Sequence, residues 1–167
     1  MIELSWMSGT APRLLLLLVA SNAAPVLATW ALQRRWARAL DLGWRLPDRQ
    51  PLFGSAKTWR GVFAALLSAW GLAVLLGFGS VFGVVFGLLV VAGDLFSSFA
   101  KRRMGMAPSS RCLGLDQLPE SFLPCGYAVV VLRMDWWWAL LLPLAFMLIE
   151  ILVSKPLFRL NIRQRPY

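Results

Sequence analysis

The chain has 167 residues, of which 59% are hydrophobic and 15% charged, with a mean hydropathy of +0.65; soluble domains run at about 45–50% apolar and about 25% charged. Seventeen Lys+Arg stand against eight Asp+Glu, giving a formal charge of +9, and there is no histidine. These figures exclude an ordinary soluble enzyme, a disordered tail, a disulfide scaffold, any Ser-His-Asp or Cys-His nucleophile and a His-ligated zinc site, and leave a small one-domain polytopic membrane protein.

Residues 14–32 carry no charge and are long enough to span a bilayer at about 1.5 Å per residue. Arg13, the apolar run and Ser21-Asn22-Ala23 also fit a signal-peptide pattern. The apolar character continues through Pro25, Val26, Leu27 and Trp30, so a retained helix is expected. Residues 61–93 again carry no charge. As one helix they would measure about 50 Å against about 30 Å of hydrocarbon. The run must fold back, and Gly77-Phe78-Gly79-Ser80 is the turn, giving helices at 61–77 and 81–100. Gly83, Gly87 and Gly93 are expected to permit close helix contact.

A fourth helix is expected over 118–134, although only 122–132 is cleanly apolar. The fifth, 136–153, opens on Trp136-Trp137-Trp138, where an interfacial aromatic belt belongs. The expected fold is therefore an all-α integral membrane bundle of five transmembrane helices in a single domain, 1–167, with a long loop at 33–60.

Charge parity supports five helices. Fifteen of the seventeen basic residues fall in three segments: the 33–60 loop, the 101–120 loop (Lys101, Arg102, Arg103, Arg111) and the tail (Lys155, Arg159, Arg163, Arg165). Five spans place all three on one side, which the positive-inside rule makes cytoplasmic, with the N-terminus outside. The expected location is the cell (inner) membrane, with the active site facing the cytoplasm. The basic excess then sets topology and requires no nucleic acid. Cys112 and Cys125 match no metal or redox spacing and read as structural.

Any chemistry must come from carboxylates, hydroxyls, amides, Lys or Arg. Glu3, Asp41, Asp48 and Asp135 read as solvated, whereas Asp94, Asp116, Glu120 and Glu150 lie in or beside spans near the cytoplasmic face. Asp94 follows an apolar run about two-thirds of the way along helix three, and an intramembrane carboxylate points to function. Helical spacing sets Ser97, Ser98 and Lys101 on its face, with Arg102 one turn beyond Ser98. Alternatively, Asp94 pairs with Lys101 or an arginine to hold helices together. Asp116 and Glu120, four apart, can share the entrance of helix four, and Pro119 suits an early helix position. Asp94, Asp116 and Glu120 together offer an oxygen-only set suited to Mg²⁺.

Carboxylates interleaved with Lys and Arg at one membrane face suit a metal–polyphosphate substrate, whose in-line transfer needs no protein nucleophile. Lys57, Thr58 and Arg60 cluster phosphate-binding groups at the start of helix two, as a natural anion site or as an anchor to lipid phosphates. The spacing after Gly54 is not that of a Walker A loop. Asn22, within helix one, can serve a neighbouring helix or a substrate. Glu150 is expected to pair with a basic loop residue.

Ser21-Asn22-Ala23-Ala24-Pro25-Val26, Leu52-Phe53-Gly54-Ser55-Ala56-Lys57-Thr58-Trp59-Arg60-Gly61, Gly93-Asp94-Leu95 with Phe99-Ala100-Lys101-Arg102-Arg103, and Leu115-Asp116-Gln117-Leu118 follow one another in order. This set resembles the CDP-archaeol synthase family, five-helix proteins of the CTP-dependent lipid-phosphate cytidylyltransferase superfamily. The likeness covers nearly the whole chain, including the basic tail ending in Arg165-Pro166-Tyr167. The abundance of Arg, Trp and Leu suggests a bacterial-type member.

The resemblance implies Mg²⁺-dependent transfer of a cytidylyl group from CTP to a membrane lipid phosphate, a glycerophospholipid precursor, giving a CDP-lipid and pyrophosphate. It implies catalytic roles for Asp94, Asp116 and Lys101, and metal ligation by Asp94 and Asp116 with Glu120. Substrate contacts would come from Asn22, Lys57, Thr58, Arg60, Ser98, Arg102 and Arg103. Two departures stand out. The family pattern Leu-Asp-Gln-Leu-Asp becomes Leu115-Asp116-Gln117-Leu118-Pro119-Glu120, displacing the second carboxylate by one residue, and Ser55 stands where an acidic residue is expected. The alternative reading is a non-enzymatic lipid-phosphate binder or small transporter, or a catalytically dead relative; a homo-oligomer is compatible with either.

Overall fold

A computed structural model describes residues 9–110, 112 and 114–159. Glu3, Arg111, Arg163, Arg165 and the closing Arg165-Pro166-Tyr167 lie outside the described residues. The chain forms five helices: α1 (Thr10–Leu32), α2 (Trp59–Leu75), α3 (Ser80–Arg103), α4 (Gln117–Val131) and α5 (Trp138–Arg159). The long loop between α1 and α2 forms two isolated antiparallel bridges, Ala39 with Thr58 and Arg45 with Pro51.

Several boundaries differ from those expected. Helix α1 begins four residues early, at Thr10, taking in Arg13 and placing Pro12 in its first turn, where a missing N–H costs little. Helix α2 begins at Trp59 because Thr58, in an extended conformation, caps it through Oγ1, which accepts from Gly61 N at 3.2 Å. Helix α3 reaches Arg103, past the end of its apolar run. Its last turn holds Lys101, Arg102 and Arg103, where cations meet the negative end of the helix dipole. Helix α4 stops at Val131, and α5 begins at Trp138, after Trp136 and Trp137. The fold-back lies where the sequence places it, with Gly77 at φ +83° and Gly79 at φ +90°, a region that glycine enters freely.

Each helix packs on its neighbours in sequence and α5 returns against α1, closing the bundle. One end is apolar inside: Leu14, Leu17, Leu18, Phe82, Phe86, Val90, Ala128, Leu142 and Phe146 fill it. Gly83 and Gly87 set the contact between α2 and α3, since a Cβ there would lie 2.7 Å from Ala73 Cβ and 2.8 Å from Ala69 Cβ. The outer surface is also apolar, with Leu67, Leu75, Val81, Val130 and Leu152 well exposed, as expected of helices facing lipid. Helices α1 and α3 are long and apolar enough to cross a bilayer by length and composition, and α2 and Trp138–Ser154 are shorter apolar helices.

Candidate functional site

The opposite end of the bundle is polar inside. The C-termini of α1, α3 and α5 and the N-termini of α2 and α4 gather there, and Arg60, Ser97, Ser98, Lys101, Arg102, Gln117 and Ser121 are buried among them. Burying so many polar groups in one place requires that they satisfy one another or a ligand.

Two lysine–carboxylate pairs organise this end. Lys57, two residues before α2, places Nζ 2.5 Å from Asp94 Oδ1 on α3. Lys101, on the last turn of α3, places Nζ 2.5 Å from Asp116 Oδ1 and donates to Ser110 O at 3.0 Å. Burial disfavours the Lys57 ammonium, but Asp94, backed by Glu120 and Asp116, outweighs it and holds the pKa above the ordinary lysine value. Lys57 is thus within electrostatic reach of all three carboxylates expected at the site. Asp94 meets Lys57 instead of Lys101 or an arginine.

Close backbone approach brings α4 to Asp94. A Cβ on Gly93 would lie 2.5 Å from Glu120 Cα and would collide with the carbonyl of Pro119. Only glycine lets the first turn of α4 rest on α3 here, which puts Glu120 beside Asp94. Glu150 on α5 acts electrostatically on Glu120, so it belongs to this acidic group as well as to the helix end where it was expected to meet a base.

The carboxylates differ in what else they bind. Asp116 accepts Cys112 N at Oδ2, 2.9 Å away, while its buried Oδ1 faces the Lys101 ammonium. Asp94 keeps its side chain 34% exposed. Among the described residues, no group of three carboxylates could hold a metal ion by itself. Mg²⁺ ordinarily takes one or two carboxylates and completes its shell with water and substrate phosphate oxygens. The lysine-paired oxygens of Asp116 and of the partly exposed Asp94 fit that mode, with phosphate free to displace the ammonium groups.

The expected phosphate-contacting residues divide. Arg102 is 2% exposed and donates Nη2 to Ala107 O at 2.9 Å, while its Nε is buried without a partner. Its Nη1 lies beside Gly54, where a Cβ would come within 3.4 Å. Ser98 is buried on the same end of α3. Asn22 donates back to Leu18 O at 2.9 Å along α1.

Three others have structural partners. Thr58 is the α2 cap. Arg60 donates Nη1 to Gln33 O (2.9 Å) and Arg35 O (2.6 Å), and Nη2 to Thr29 Oγ1 (3.2 Å), clamping the end of α1 to the start of α2. Arg103 pairs with Asp48, donates to Pro51 O at 2.6 Å and stacks on Phe99, latching the long loop to α3.

Asp48 is exposed as expected and pairs with Arg103, whereas Asp41, also read from sequence as solvated, is a buried loop anchor. Asp41 is 8% exposed and accepts from the backbone N–H of Gly43 (3.1 Å), Phe53 (3.0 Å) and Gly54 (2.8 Å). Burial would raise its pKa, but these three donors prevail and hold it below the ordinary value. The Asp41-Leu42-Gly43 pattern, an Asp two residues before a Gly, is the signal that could have marked it. Both cysteines are free.

No protein-family model matches the chain. It is 31% identical over 132 residues to the CDP-archaeol synthase of Thermococcus onnurineus, covering 69% of this chain and 71% of the relative. The CDP-archaeol synthase of Sulfurisphaera tokodaii is 27% identical over 90% of both chains. That of Thermofilum pendens is 33% identical over 105 residues, and the chain spans half the length of this relative. Among solved structures, an intramembrane enzyme for archaeal membrane lipid biosynthesis superposes with a TM-score of 0.74 at 26% identity, over 86% of this chain and 92% of its own. A polar bundle end of paired lysines and carboxylates, a shared fold and these identities make this chain a member of the CDP-archaeol synthase family, CTP-dependent nucleotidyltransferases acting on lipid phosphates.

Proposed function

We propose that this protein transfers the cytidylyl group of CTP to a lipid phosphate at the cytoplasmic face of the cell membrane. It would cross the bilayer five times with its N-terminus outside. The relatives' name favours an isoprenoid-ether glycerophosphate as acceptor over the ester phosphatidate expected of a glycerophospholipid precursor. An oxygen of the acceptor phosphate attacks the α-phosphorus of CTP, the bond to the β-phosphate oxygen breaks, and pyrophosphate leaves with the electron pair. No protein nucleophile is required, in keeping with a chain that has no histidine.

The observation that carries this reading is the pairing of Lys57 with Asp94 and of Lys101 with Asp116 at one end of an apolar bundle. Each pair keeps its charges compensated before substrate arrives. Incoming phosphates take over the lysines, and Lys57, Lys101 and Arg102 then offset the charge that grows on the leaving pyrophosphate. Asp94 and Asp116, with Glu120, would hold Mg²⁺, which when bound screens the triphosphate and polarises its phosphoryl oxygens. Ser98 on α3 and Asn22 on α1 would supply further substrate contacts. Thr58, Arg60 and Arg103 shape the site through α1, α2 and the loop.

The test uses purified protein with α-labelled CTP and either an ester phosphatidate or an isoprenoid-ether glycerophosphate. Label entering the organic phase only with divalent metal, and lost in Asp94→Asn, is the expected result. The preferred acceptor names the lipid class. A folded protein that binds CTP but labels neither lipid would overturn the acceptor assignment, and one that binds no CTP would favour a non-enzymatic lipid-phosphate binder.

A further inference from the structure

The loop between α1 and α2 carries a charged and apolar surface that the reaction does not use. Arg34, Arg35, Arg38, Arg45 and Arg49 are all exposed. Between them Trp36 is 80% exposed, Trp44 65% and Leu42 64%. The loop backbone is nevertheless fixed. Leu40 N donates to Lys57 O at 2.8 Å and Trp59 N to Arg38 O at 3.2 Å, Asp41 gathers three backbone donors, and Arg60 and Arg103 hold the two flanks.

Trp36 and Leu42 also adopt positive φ, +53° and +50°, which bulky residues seldom do. A rigid loop is therefore maintained with its large apolar side chains turned outward. Beside them, Leu42, Trp44, Leu52 and Phe53 line an open groove of about 530 Å³ around Asp41.

The loop's own acids do not answer the arginines. Asp41 is engaged by backbone N–H groups and Asp48 by Arg103. Among the described residues, no ion pair involves Arg34, Arg35, Arg38, Arg45 or Arg49. Tryptophan and arginine interleaved at the end of a membrane helix suit the headgroup layer, where indole rings sit between water and chains and guanidinium groups meet phosphates.

We propose that residues 34–49 form a preformed platform that docks on an anionic lipid surface, Trp36, Leu42 and Trp44 entering the headgroup layer while the five arginines bind acidic headgroups. The platform rests on the membrane reading of the fold but not on turnover. It gathers negatively charged lipid beside the Lys57–Asp94 pair, and a lipid phosphate is itself such a lipid. Each engaged arginine favours anionic over neutral lipid by about fivefold.

The test reconstitutes the full chain in phosphatidylcholine vesicles containing brominated phosphatidylglycerol or, separately, brominated phosphatidylcholine. Subtracting the emission of Trp36→Phe/Trp44→Phe isolates these two of the nine tryptophans. Their emission should be quenched by both lipids at low salt and severalfold more by the anionic one. Replacing the five arginines with Gln should erase the difference and replacing them with Lys should keep it. Salt should also erase it, since about 1 M shortens screening to about 3 Å, so the salt series on wild type and Trp36→Phe/Trp44→Phe decides should the Gln variant not fold. Absence of quenching would place the loop in water and overturn the proposal. Equal quenching at low salt would leave apolar contact without anionic recognition and overturn it equally. Neither readout involves CTP, so this failure is distinguishable from failure of the transferase reading.

Discussion

Lys57 Nζ lies 2.5 Å from Asp94 Oδ1, joining the foot of α2 to the middle of the polar half of α3 across 37 residues of sequence. The pair is partly open to solvent, at 25% and 34% side-chain exposure. Its contribution to stability is therefore modest and its functional value lies in poise: a charged carboxylate beside a cation that phosphate can claim. Asp94→Asn keeps the shape and an acceptor for Lys57. It should cost about 1 kcal/mol of stability and at least about 100-fold in cytidylyl transfer. Labelled-CTP turnover measured alongside thermal unfolding checks both, and wild-type turnover in the variant would remove Asp94 from the reaction.

The same pair makes an alkaline prediction. The folded pKa of Lys57 is raised above the ordinary lysine value of 10.5. The stability it contributes is present in full below that value and is lost as pH climbs through the higher folded pKa. Wild-type protein should show this loss in thermal unfolding above about pH 10.5. Lys57→Met, lacking the ammonium, should lack that component of the slope.

Asp41 titrates in the opposite sense. Its folded pKa is lowered below 3.8, so its contribution is present above that value and disappears as pH falls through the folded pKa. Asp41→Asn should loosen the loop by about 1–3 kcal/mol, because a charged acceptor of three N–H groups becomes neutral. Trypsin cleavage at Arg45 and Arg49 provides the readout. Cleavage should accelerate in the variant at neutral pH, and an unchanged rate would show that Asp41 does not hold the loop.

Gly93 and Gly126 form a matched pair of tests. Gly93→Ala drives a methyl group to 2.5 Å from Glu120 Cα, against backbone that has no rotamer with which to yield. It should destabilise by about 1–3 kcal/mol and displace Glu120 from Asp94. Gly126, on the same α4, has nothing within 4 Å of a built Cβ, so Gly126→Ala should be neutral or stabilise by about 0.5–1 kcal/mol. Thermal unfolding compares the two, and equal effects would mean that α3 and α4 are not in backbone contact.

Arg60 separates a clamp from a phosphate ligand. Its three hydrogen bonds reach Thr29, Gln33 and Arg35 at the end of α1. Arg60→Ala should cost about 2 kcal/mol, with activity falling in step with the folded fraction and KM for CTP unchanged. A raised KM in a fully stable variant would instead make Arg60 a substrate contact.

Much of the helical layout was legible because hydropathy and glycine act locally. A charge-free run of 33 residues cannot cross a bilayer once, and Gly77 and Gly79 supply the backbone conformation that folding it back requires. The ends of α3 were less legible. Lys101, Arg102 and Arg103 look like a loop by composition, yet the helix continues through them because its carbonyl end attracts cations and its neighbours bury their side chains. Asp41 escapes a sequence reading for a related reason: the Asp41-Leu42-Gly43 spacing marks a local turn, but not that backbone N–H groups twelve and thirteen residues away converge on the carboxylate.

A one-dimensional pattern encodes an apolar helical chain, its turns, the segments in which its basic residues collect and the motifs at which carboxylates and lysines occur. Helix periodicity also set Asp94, Ser98 and Lys101 along one stretch of α3. The partnerships, by contrast, depend on how the helices pack. Lys57 meets Asp94 and Lys101 meets Asp116 because closure of the bundle brings α2, α3 and α4 to one end, and Gly93 permits an approach that no residue with a Cβ would allow. Contacts between residues tens of positions apart depend on the distances at which helices pack, and those distances arise from interlocking side chains across several helices at once.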